Sequence, residues 1–402
     1  MTDAIVIVGA GQCGASAAQT LRSEGFDGPV VLIGAEDQPP YQRPPLSKDY
    51  LRGQGSRDDL LIQARPWYRE AGVELRTGTA VTSLDTAARR VRLASGETVP
   101  YGRLLLATGG RPRTPPGGAG DRVRCLRSLA DADWLRAELP AARHLIVIGA
   151  GFIGAETAAS ARQLGVEVTM LELLDVPLAR VLGPEIGAVY AGIHRDHGVR
   201  LRTGEGVESV TESAGGTVRV RTTRGADILG DLVIAGVGIT PDTELAEAAG
   251  IATGNGVLVD EFCRTSAPDV YAAGDVANHV HPLFGRRLRV EHDDSAIRHG
   301  AAAARSMLGR DTPFDECHWF WSDQYDLNLQ YTGDSHGWDQ VIVRGSLPDR
   351  SFTAFYLGDG VLRAALAVNR PKDILRARKL VRARHRPDPA RLADEDADLR
   401  TV

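Results

Sequence analysis

The residues best suited to chemistry in this sequence lie in two glycine-rich turns of the pattern G-x-G-x-x-G: Gly9-Ala10-Gly11-Gln12-Cys13-Gly14 and Gly149-Ala150-Gly151-Phe152-Ile153-Gly154. Each turn follows a short apolar run and precedes an alanine-rich segment, so each is predicted to join a strand to a helix. The first glycine permits the bend, the second admits a pyrophosphate to the backbone, and the third lets the helix pack closely on the strand. The pattern predicts two dinucleotide-binding turns.

A carboxylate follows each turn at the distance expected of a ribose contact. Glu36 comes after the apolar run 30–33, and Glu172 directly follows the run 168–171, each about 20 residues beyond the last glycine of its turn. An acid in that place can accept both hydroxyl groups of an adenosine ribose. One such unit is weak evidence, but two in one chain favour two bound dinucleotides.

The repeated strand–turn–helix–strand units indicate the fold class. At 402 residues the chain is too long for one ordinary core. Later strands end in small residues at Thr108-Gly109 and at 236–238, where open parallel sheets bind ligands, and a further strand ends in Gly274-Asp275. We predict an α/β protein with two doubly wound, Rossmann-like dinucleotide-binding domains and a C-terminal α+β domain.

Composition excludes several other classes of protein. The net charge of −5 argues against a nucleic-acid scaffold. The sequence shows neither a leader pattern at its first residues nor a membrane-length apolar run, so a cytoplasmic protein is expected. The cysteines have no metal-ligand, cluster or redox-disulfide spacing, which predicts no metal site and no active disulfide; they are Cys13, Cys125, Cys263 and Cys317.

The complete pattern resembles the FAD/NAD-linked reductases of the glutathione-reductase structural class. The resemblance implies that the first unit holds FAD, that the second holds the pyridine nucleotide, and that Asp275 bonds the flavin ribitol chain. It also implies a discontinuous FAD domain over 1–110 and 242–315, an NAD domain over 111–241, and a C-terminal domain over 316–402. In the last domain we expect strands near 339–344 and 352–357 and a helix over 371–385.

Two segments narrow the resemblance, the RPPLSK motif at 43–48 and the FWSDQY motif at 320–325. Both are similar to motifs of the oxygenase-coupled, putidaredoxin reductase-like NADH-dependent ferredoxin reductases. By itself, the proline-rich stretch at 40–51 would be a stiff, extended and mostly solvated connector. The resemblance instead implies that Lys48 lies beside the isoalloxazine ring, Glu156 faces the nicotinamide, and Trp321 lies close to the flavin. These three are the candidate catalytic residues.

The resemblance and the fingerprints together supply two sets of candidate cofactor contacts. The FAD contacts are Gly9, Gly11, Cys13, Gly14, Glu36, Arg43, Lys48, Val81, Thr108, Gly109, Arg127, Asp275, Asp293 and Trp321. The NADH contacts are Gly149, Gly151, Ile153, Gly154, Glu156, Glu172, Arg180 and Gly238. NADH is favoured over NADPH because a 2′-phosphate beside Glu172 and Asp175 would meet like charge, although Arg180 follows closely.

Asp293 departs from the family pattern, since the matching position usually carries tryptophan or another apolar residue near the flavin. An ionised carboxylate there would disfavour the negative charge of a reduced flavin and lower its midpoint potential. Asp293→Trp is therefore expected to raise that potential, as measured by redox titration. An unchanged potential would mean that Asp293 turns to solvent or pairs with an arginine.

The resemblance implies electron transfer from NADH through FAD to a small acidic [2Fe–2S] ferredoxin that serves a cytochrome P450 or a Rieske-type oxygenase. Arginines are expected to steer the docking of such a partner, and the candidates are Arg286, Arg287, Arg289, Arg298, Arg305 and Arg310. Rubredoxin reductase, NADH oxidase and an NADH-sensing interaction protein like apoptosis-inducing factor remain alternatives, and a monomer and a weak dimer both remain open.

Overall fold

The computed structural model describes residues 4–118 and 120–402, which form two compact units. The first unit comprises 4–42, 57–111 and 240–318, and the second comprises 43–56, 112–118, 120–239 and 319–402. Met1, Thr2 and Asp3, where the sequence shows no leader pattern, lie outside the described residues. The predicted three-domain division stays a prediction.

A five-stranded parallel sheet organises the first unit. Its strands lie side by side in the order Val270–Ala272, Arg103–Leu106, Ile5–Val8, Val30–Ile33 and Val73–Arg76. Their β-branched and leucine side chains are buried on both faces, as expected of a parallel sheet covered on both sides. Counted along the chain, the strand order is 3-2-1-4-5, which is the order of five of the six strands of the classic Rossmann sheet.

A second five-stranded parallel sheet organises the second unit. Its strands lie in the order Arg200–Arg202, Glu167–Leu171, His144–Ile148, Leu232–Ala235 and Val123–Cys125. The strand that precedes the second glycine turn lies at its centre, between the strands Glu167–Leu171 and Leu232–Ala235. The same local sequence pattern therefore builds the same local topology twice.

Smaller sheets complete each unit. The first unit adds the antiparallel strands Val81–Asp85, Arg90–Leu93 and Thr98–Pro100, and a mixed sheet of Thr253–Gly254, Gly256–Val259, Ala277–His281 and Arg286–Leu288. The second unit adds Val207–Glu212, Val218–Thr222 and Asp227–Gly230. Two short strands, Gly110–Pro112 and Ile239–Pro241, lie where the chain passes from one unit to the other.

The C-terminal segment forms an antiparallel sheet within the second unit, in the order Trp319–Gln324, Leu327–Gly333, Val361–Val368, Ser351–Gly358 and Gln340–Ser346. The strands expected near 339–344 and 352–357 are the last two of these. The helix expected over 371–385 is observed at Pro371–Arg382. Alternate residues of Trp319–Gln324 are buried, so Phe320, Ser322 and Gln324 share one face.

The described helices flank these sheets. The longer ones are Gln12–Ser23, Leu129–Glu138, Phe152–Gln163, Ala179–Asp196, Asp293–Met307 and Pro371–Arg382. Short helices are Arg65–Glu70, Glu244–Ala248 and Pro389–Ala393, and short 3₁₀ turns are Pro44–Ser47, Asp58–Leu60, Leu139–Ala141 and Gly274–Val276. None of the helices in the described residues has the length and apolarity to cross a membrane.

Candidate functional site

The first glycine turn is packed so tightly that side chains are excluded from it. Gly9 has a φ of +114°, and a Cβ placed there would lie 2.1 Å from the carbonyl oxygen of Ala107. A Cβ on Gly14 would lie 2.0 Å from the carbonyl oxygen of Gly9. The turn thus needs glycine at its first and third positions for the reasons that the sequence pattern predicts.

The second glycine turn repeats this geometry in the second unit. Gly149 has a φ of +93°, with the carbonyl oxygen of Gly236 only 2.6 Å from a hypothetical Cβ. A Cβ on Gly154 would approach the carbonyl oxygen of Gly149 to 2.0 Å. In each parallel sheet the strand before the glycine turn and its neighbour, Arg103–Leu106 or Leu232–Ala235, therefore meet at their carboxyl ends with bare backbone, which is where doubly wound folds bind nucleotides.

Both helices that follow these turns begin without a side-chain cap. The N-cap residues are Gly11 and Gly151, and neither first turn contains an acidic residue. A Cβ at Gly11 would meet nothing within 4 Å, and one at Gly151 would meet only the Gly236 carbonyl oxygen at 3.9 Å. Open space in front of unsatisfied N–H groups fits a phosphate, so both turns fit the pyrophosphate of a dinucleotide.

Several candidate FAD contacts of the first unit lie close together. Cys13, at the start of the first glycine helix, lies against Gly274, since a Cβ there would come 3.1 Å from its Sγ. The Thr108 hydroxyl donates to the Asp242 carbonyl at 2.8 Å, and the Asp242 N–H donates to the Gly109 carbonyl at 3.0 Å. Asp275 raises the pKa of Cys13, although burial of the thiol raises it more.

The remaining first-unit candidates occupy partly buried positions. Glu36 accepts a hydrogen bond of 2.5 Å from the Tyr41 hydroxyl. Val81 begins the strand Val81–Asp85, and Asp293 begins the helix Asp293–Met307. A carboxylate in a first helical turn is favourable against the helix dipole whatever else Asp293 does.

A buried carboxylate in the second unit is surrounded by hydrogen-bond donors. Glu156, in the glycine helix Phe152–Gln163, is only 3% exposed. Its Oε2 accepts from Lys48 Nζ at 2.7 Å and from the Ser47 hydroxyl at 2.5 Å, and its Oε1 accepts from the Ser322 hydroxyl at 2.6 Å. Such a pair is stable in a low-dielectric interior only because each charge is matched and hydrogen-bonded.

The segment that carries Lys48 differs from the stiff, extended and solvated connector that its prolines alone would predict. Residues Pro44–Ser47 form a 3₁₀ turn, and Lys48 is 8% exposed. Prolines at the first positions of the turn favour it because their fixed φ matches helical backbone. The Lys48 Nζ also donates to the Pro44 carbonyl at 3.1 Å, so the turn itself aims the ammonium group at Glu156.

Arg43 and Arg127, both candidate FAD contacts, are brought together in the second unit. The Arg43 guanidinium donates to the backbone carbonyl of Arg127. Residue 127 is held in turn by the capping box of the next helix, in which Asp131 accepts from the backbone N–H groups of Arg127 and Ser128. The run of residues 126–131 (LRSLAD) is therefore a helix start that fixes the Arg127 backbone.

A hydrogen-bond chain extends from Glu156 to a buried histidine. Gln324 Nε2 donates to the Ser322 hydroxyl at 3.1 Å, and the Gln324 side-chain oxygen lies 3.1 Å from His194 Nε2. That oxygen can only accept, so His194 Nε2 carries the proton and Nδ1 accepts from the Tyr325 hydroxyl at 2.9 Å. Sequence reasoning missed Ser47, Ser322, Gln324 and His194, although three of them stand in the RPPLSK and FWSDQY motifs.

The buried His194 makes the protein sensitive to acid. Burial, more than the nearby His197, lowers the pKa of His194 from 6.5 to about 4. Below pH 6.5 His194 becomes protonated in the unfolded chain but stays neutral in the folded chain. The free energy of unfolding therefore falls as the pH drops toward 4, by about 3 kcal/mol for this group. We expect His194→Asn to flatten the fall in urea-unfolding free energy between pH 7 and 4.5. Exposed His336→Asn is the control, and identical slopes in both variants would contradict the assignment.

Trp321 lies on the other face of its strand from Ser322. It is partly exposed and stacks on Trp319 with ring centroids 5.2 Å apart. The two tryptophans leave an aromatic surface that the core does not cover, which is compatible with the predicted contact to a flavin but does not by itself indicate one.

The predicted ribose acid of the second unit contacts the glycine turn itself. Glu172 accepts from the N–H of Ala150 at 2.7 Å and from the N–H of Leu174 at 2.9 Å. The other candidates are exposed, namely Ile153 at 43%, Arg180 at the start of the helix Ala179–Asp196, and Gly238 with a φ of +96°.

Two arginines that sequence spacing overlooked lie near this acid. Arg202 pairs with buried Glu205 at 2.7 Å, and the Glu205 N–H donates to the Glu172 carbonyl. A Cβ on Gly204 would lie 2.7 Å from Arg224 and 3.4 Å from Asp175. The surroundings of Asp175 therefore include Arg224, a cation that the sequence did not indicate in addition to Arg180.

Most arginines suggested for partner docking are already paired within the first unit. Arg305 and Arg310 pair with Glu24, Arg298 pairs with Asp294, and Arg289 pairs with Glu291. Arg287, by contrast, donates to the backbone carbonyls of Val259 and Asn278. Because these ion pairs neutralise much of the charge, the six residues form a weaker positive surface than their number suggests.

The chain belongs to the pyridine nucleotide-disulphide oxidoreductase family, whose model matches residues 3–300. A second family model, described as reductase C-terminal, matches residues 319–402. These matches and the two observed parallel sheets confirm the predicted fold class. The four cysteines are all free in the described residues, so no disulfide accompanies this assignment.

Curated relatives place the chain among ferredoxin–NAD(+) reductases. It is 42% identical, over 99% of both chains, to the ferredoxin–NAD(+) reductase component of the anthranilate 1,2-dioxygenase system of Burkholderia cepacia. It is 39% identical to putidaredoxin reductase CamA of Pseudomonas putida, over 100% of this chain and 96% of that protein. The crystal structure of a covalent putidaredoxin reductase–putidaredoxin complex matches with a TM-score of 0.95 and 38% identity, over 99% and 97% of the two chains. These findings confirm the resemblance seen in the sequence and the oxidoreductase class.

Proposed function

We propose that this chain is an NADH-dependent ferredoxin reductase that uses bound FAD to pass electrons to a small [2Fe–2S] ferredoxin. The terminal acceptor would be a cytochrome P450 or a ring-hydroxylating oxygenase. Relatives whose names include ferredoxin–NAD(+) reductase and putidaredoxin reductase support this proposal, and the two open glycine turns fit a dinucleotide each.

The observation that carries the proposal is the buried Glu156 cluster at the second glycine helix. A carboxylate placed two residues after the last glycine of a nucleotide turn, and held by Lys48, Ser47 and Ser322, has a fixed position. Hydride transfer depends mainly on the alignment of donor and acceptor rather than on proton transfer. A rigid charged group of this kind suits the positioning of a nicotinamide.

When bound, FAD would accept a hydride from NADH and release electrons one at a time. The residues of this chain would bind FAD and NADH and orient them relative to each other. The first glycine turn and Glu36 would hold the adenosine half of FAD, and the second turn and Glu172 would hold that of NADH. Lys48 would supply a positive charge whose position is fixed by Glu156 and by the Pro44 carbonyl.

The function is tested by NADH-driven cytochrome c reduction with the purified yellow protein, with and without an acidic [2Fe–2S] ferredoxin. We expect strong stimulation by the ferredoxin and faster turnover with NADH than with NADPH. Rapid flavin reduction without stimulation by ferredoxin would contradict the proposal that a ferredoxin is the electron acceptor. Rubredoxin would then be tested as the acceptor. Slow turnover with a long-lived reduced complex would instead indicate an NADH-sensing interaction protein.

Salt should weaken the interaction with ferredoxin. If an acidic ferredoxin docks by charge, its KM should rise severalfold between low salt and 0.3 M NaCl while the KM for NADH changes little. Arg287→Ala should raise the ferredoxin KM more than Arg305→Ala, because Arg305 already pairs with Glu24. A KM that is independent of salt would show that docking is not electrostatic.

The structure disfavours the NADH oxidase and peroxidase alternative. Such an enzyme needs a reactive thiolate near the flavin, and Cys13 is the candidate nearest to the FAD turn. Burial, reinforced by Asp275, raises the pKa of Cys13 well above its usual range, so the thiol stays protonated at neutral pH. Direct reoxidation by oxygen is accordingly expected to be slow in stopped-flow measurements.

A further inference from the structure

Four histidines form a buried cluster in the first unit, packed against Phe284 and Phe314 and away from both glycine turns in sequence. His279 and His281 come from the strand Ala277–His281, His299 comes from the helix Asp293–Met307, and His318 precedes the strand Trp319–Gln324. All four are at most 5% exposed. Four buried imidazoles in one place require an explanation, because each ring has two polar nitrogens to satisfy.

The rings of the cluster face one another at short range. Ring centroids lie 5.2 Å apart for His279 and His281, 4.8 Å for His281 and His318, and 6.1 Å for His279 and His318. One nitrogen from each of these three residues can be chosen so that all lie within 4.8 Å of one another. Side chains alternate between the two faces of a strand, so His279 and His281 lie on the same face. Strand geometry therefore explains why two of the three histidines are neighbours.

His279 is the residue that most needs a ligand. Neither of its ring nitrogens makes a hydrogen bond of normal geometry among the described residues, although the Leu288 backbone interacts with the ring, and the side chain is 1% exposed. A buried polar group without a partner costs about 1–3 kcal/mol.

The neighbouring contacts fix the ring tautomers in a way that favours a metal. His281 Nε2 lies 3.1 Å from the carbonyl oxygen of Glu316, which can only accept, so Nε2 carries the proton and Nδ1 carries the lone pair. A backbone carbonyl that binds the outer N–H of a metal-ligating histidine is the usual support for such a ligand. His299 differs, since its Nδ1 accepts from the Gly274 N–H at 3.2 Å and its proton is therefore on Nε2.

We propose that His279, His281 and His318 bind one divalent transition-metal ion of the zinc class. Neutral imidazoles suit Zn²⁺, Ni²⁺ and Cu²⁺, while the absence of carboxylates from this group of three disfavours Mg²⁺ and Ca²⁺. Zinc–nitrogen bonds of about 2.0–2.1 Å need ligand atoms roughly 3.4 Å apart, so the rings would close by about 1 Å. A water or hydroxide would take the fourth position.

The site was not foreseen from the sequence, where the prediction of no metal rested on the spacing of the cysteines. The motif His-x-His at 279–281 was visible, but nothing in the sequence places His318 beside it. The cluster also contacts the Gly274-Asp275 turn of the first unit, because His299 accepts the N–H of Gly274. The role we assign is a structural one, with the metal stabilising this part of the unit.

Metal analysis of the untagged, FAD-loaded chain tests the proposal. From cells grown with added zinc chloride, the wild-type protein should retain about one zinc ion per chain after gel filtration. His281→Asn and His318→Asn should each weaken zinc binding at least tenfold, while exposed His336→Asn should bind as the wild type does. Absence of zinc from the wild type, or equal zinc in all variants, would overturn the site.

Spectroscopy of the wild type keeps the proposal testable if a variant does not fold. Zinc X-ray absorption should show imidazole ligands at about 2.0–2.1 Å, and zinc should raise the Tm of the wild type. Coordination by oxygen alone, or zinc that leaves the Tm unchanged, would show an ion bound elsewhere on the surface and would refute the assignment.

Discussion

Replacing Glu156 by glutamine is expected to slow NADH-driven flavin reduction by about 100-fold. Glutamine keeps the shape of the side chain, but one of its two terminal atoms becomes a donor. Glu156 accepts from Ser47 and Lys48 on one oxygen and from Ser322 on the other, so the amide must face at least one donor. The buried ammonium of Lys48 also loses its counter-charge, which makes its present position unfavourable.

Stopped-flow flavin absorbance with excess NADH measures this effect directly. Glu167→Gln is the matched control, since Glu167 pairs with Arg200 on the surface of the same unit and the two side chains are 58% and 63% exposed. Its rate should equal that of the wild type. A wild-type rate in Glu156→Gln, with FAD content retained, would refute the role of Glu156 in hydride transfer.

A double variant separates the effect of Glu156 on flavin reduction from its effect on the stability of the fold. Breaking a buried pair by removing one partner costs about 3–5 kcal/mol, whereas removing both can cost little. The Lys48→Met/Glu156→Gln protein should therefore be more stable to urea than Glu156→Gln alone, yet remain slow in flavin reduction. Recovery of both properties together would indicate that Glu156 serves stability only.

Replacing Glu172 by glutamine is expected to lower kcat/KM for NADH by about 10- to 100-fold. It should also reduce the preference of the enzyme for NADH over NADPH. A hydrogen bond to a charged group is worth about 1.5–3 kcal/mol, and removal of the carboxylate also removes its repulsion of a 2′-phosphate. Because the ribose contact is made equally in the ground and transition states, the change should fall mainly on KM.

The informative measurement is the ratio of kcat/KM for NADH to kcat/KM for NADPH. Glu172 also holds the Ala150 and Leu174 N–H groups, so its loss loosens the glycine turn for either nucleotide. Loosening alone would lower kcat/KM for NADH and NADPH by the same factor. Asp175→Asn, which removes a nearby charge, should narrow the preference without changing the NADH KM. An unaltered ratio in Glu172→Gln would contradict the ribose contact.

The sequence by itself determined the two nucleotide-binding units. The glycines at 9, 14, 149 and 154 are required by close approaches within a few residues and to the adjacent strand, and such local constraints can be read from spacing. The buried β-branched strands also follow from local pattern, which is why both parallel sheets were foreseen. The motifs 43–48 and 320–325 indicated the family for the same reason, since each is a short contiguous run of residues.

Only the tertiary structure decided what surrounds Glu156 and what surrounds His279. Lys48, Glu156 and Ser322 are separated by more than 100 residues at each step, yet they share one buried charge cluster. His279 and His318 likewise meet only after the strand and the loop before Trp319 are folded. No local pattern encodes such meetings, because burial sets the energy of a charge or an imidazole and depends on the whole unit. The sequence therefore indicated Lys48 and Glu156, and the fold supplied their partners Ser47 and Ser322.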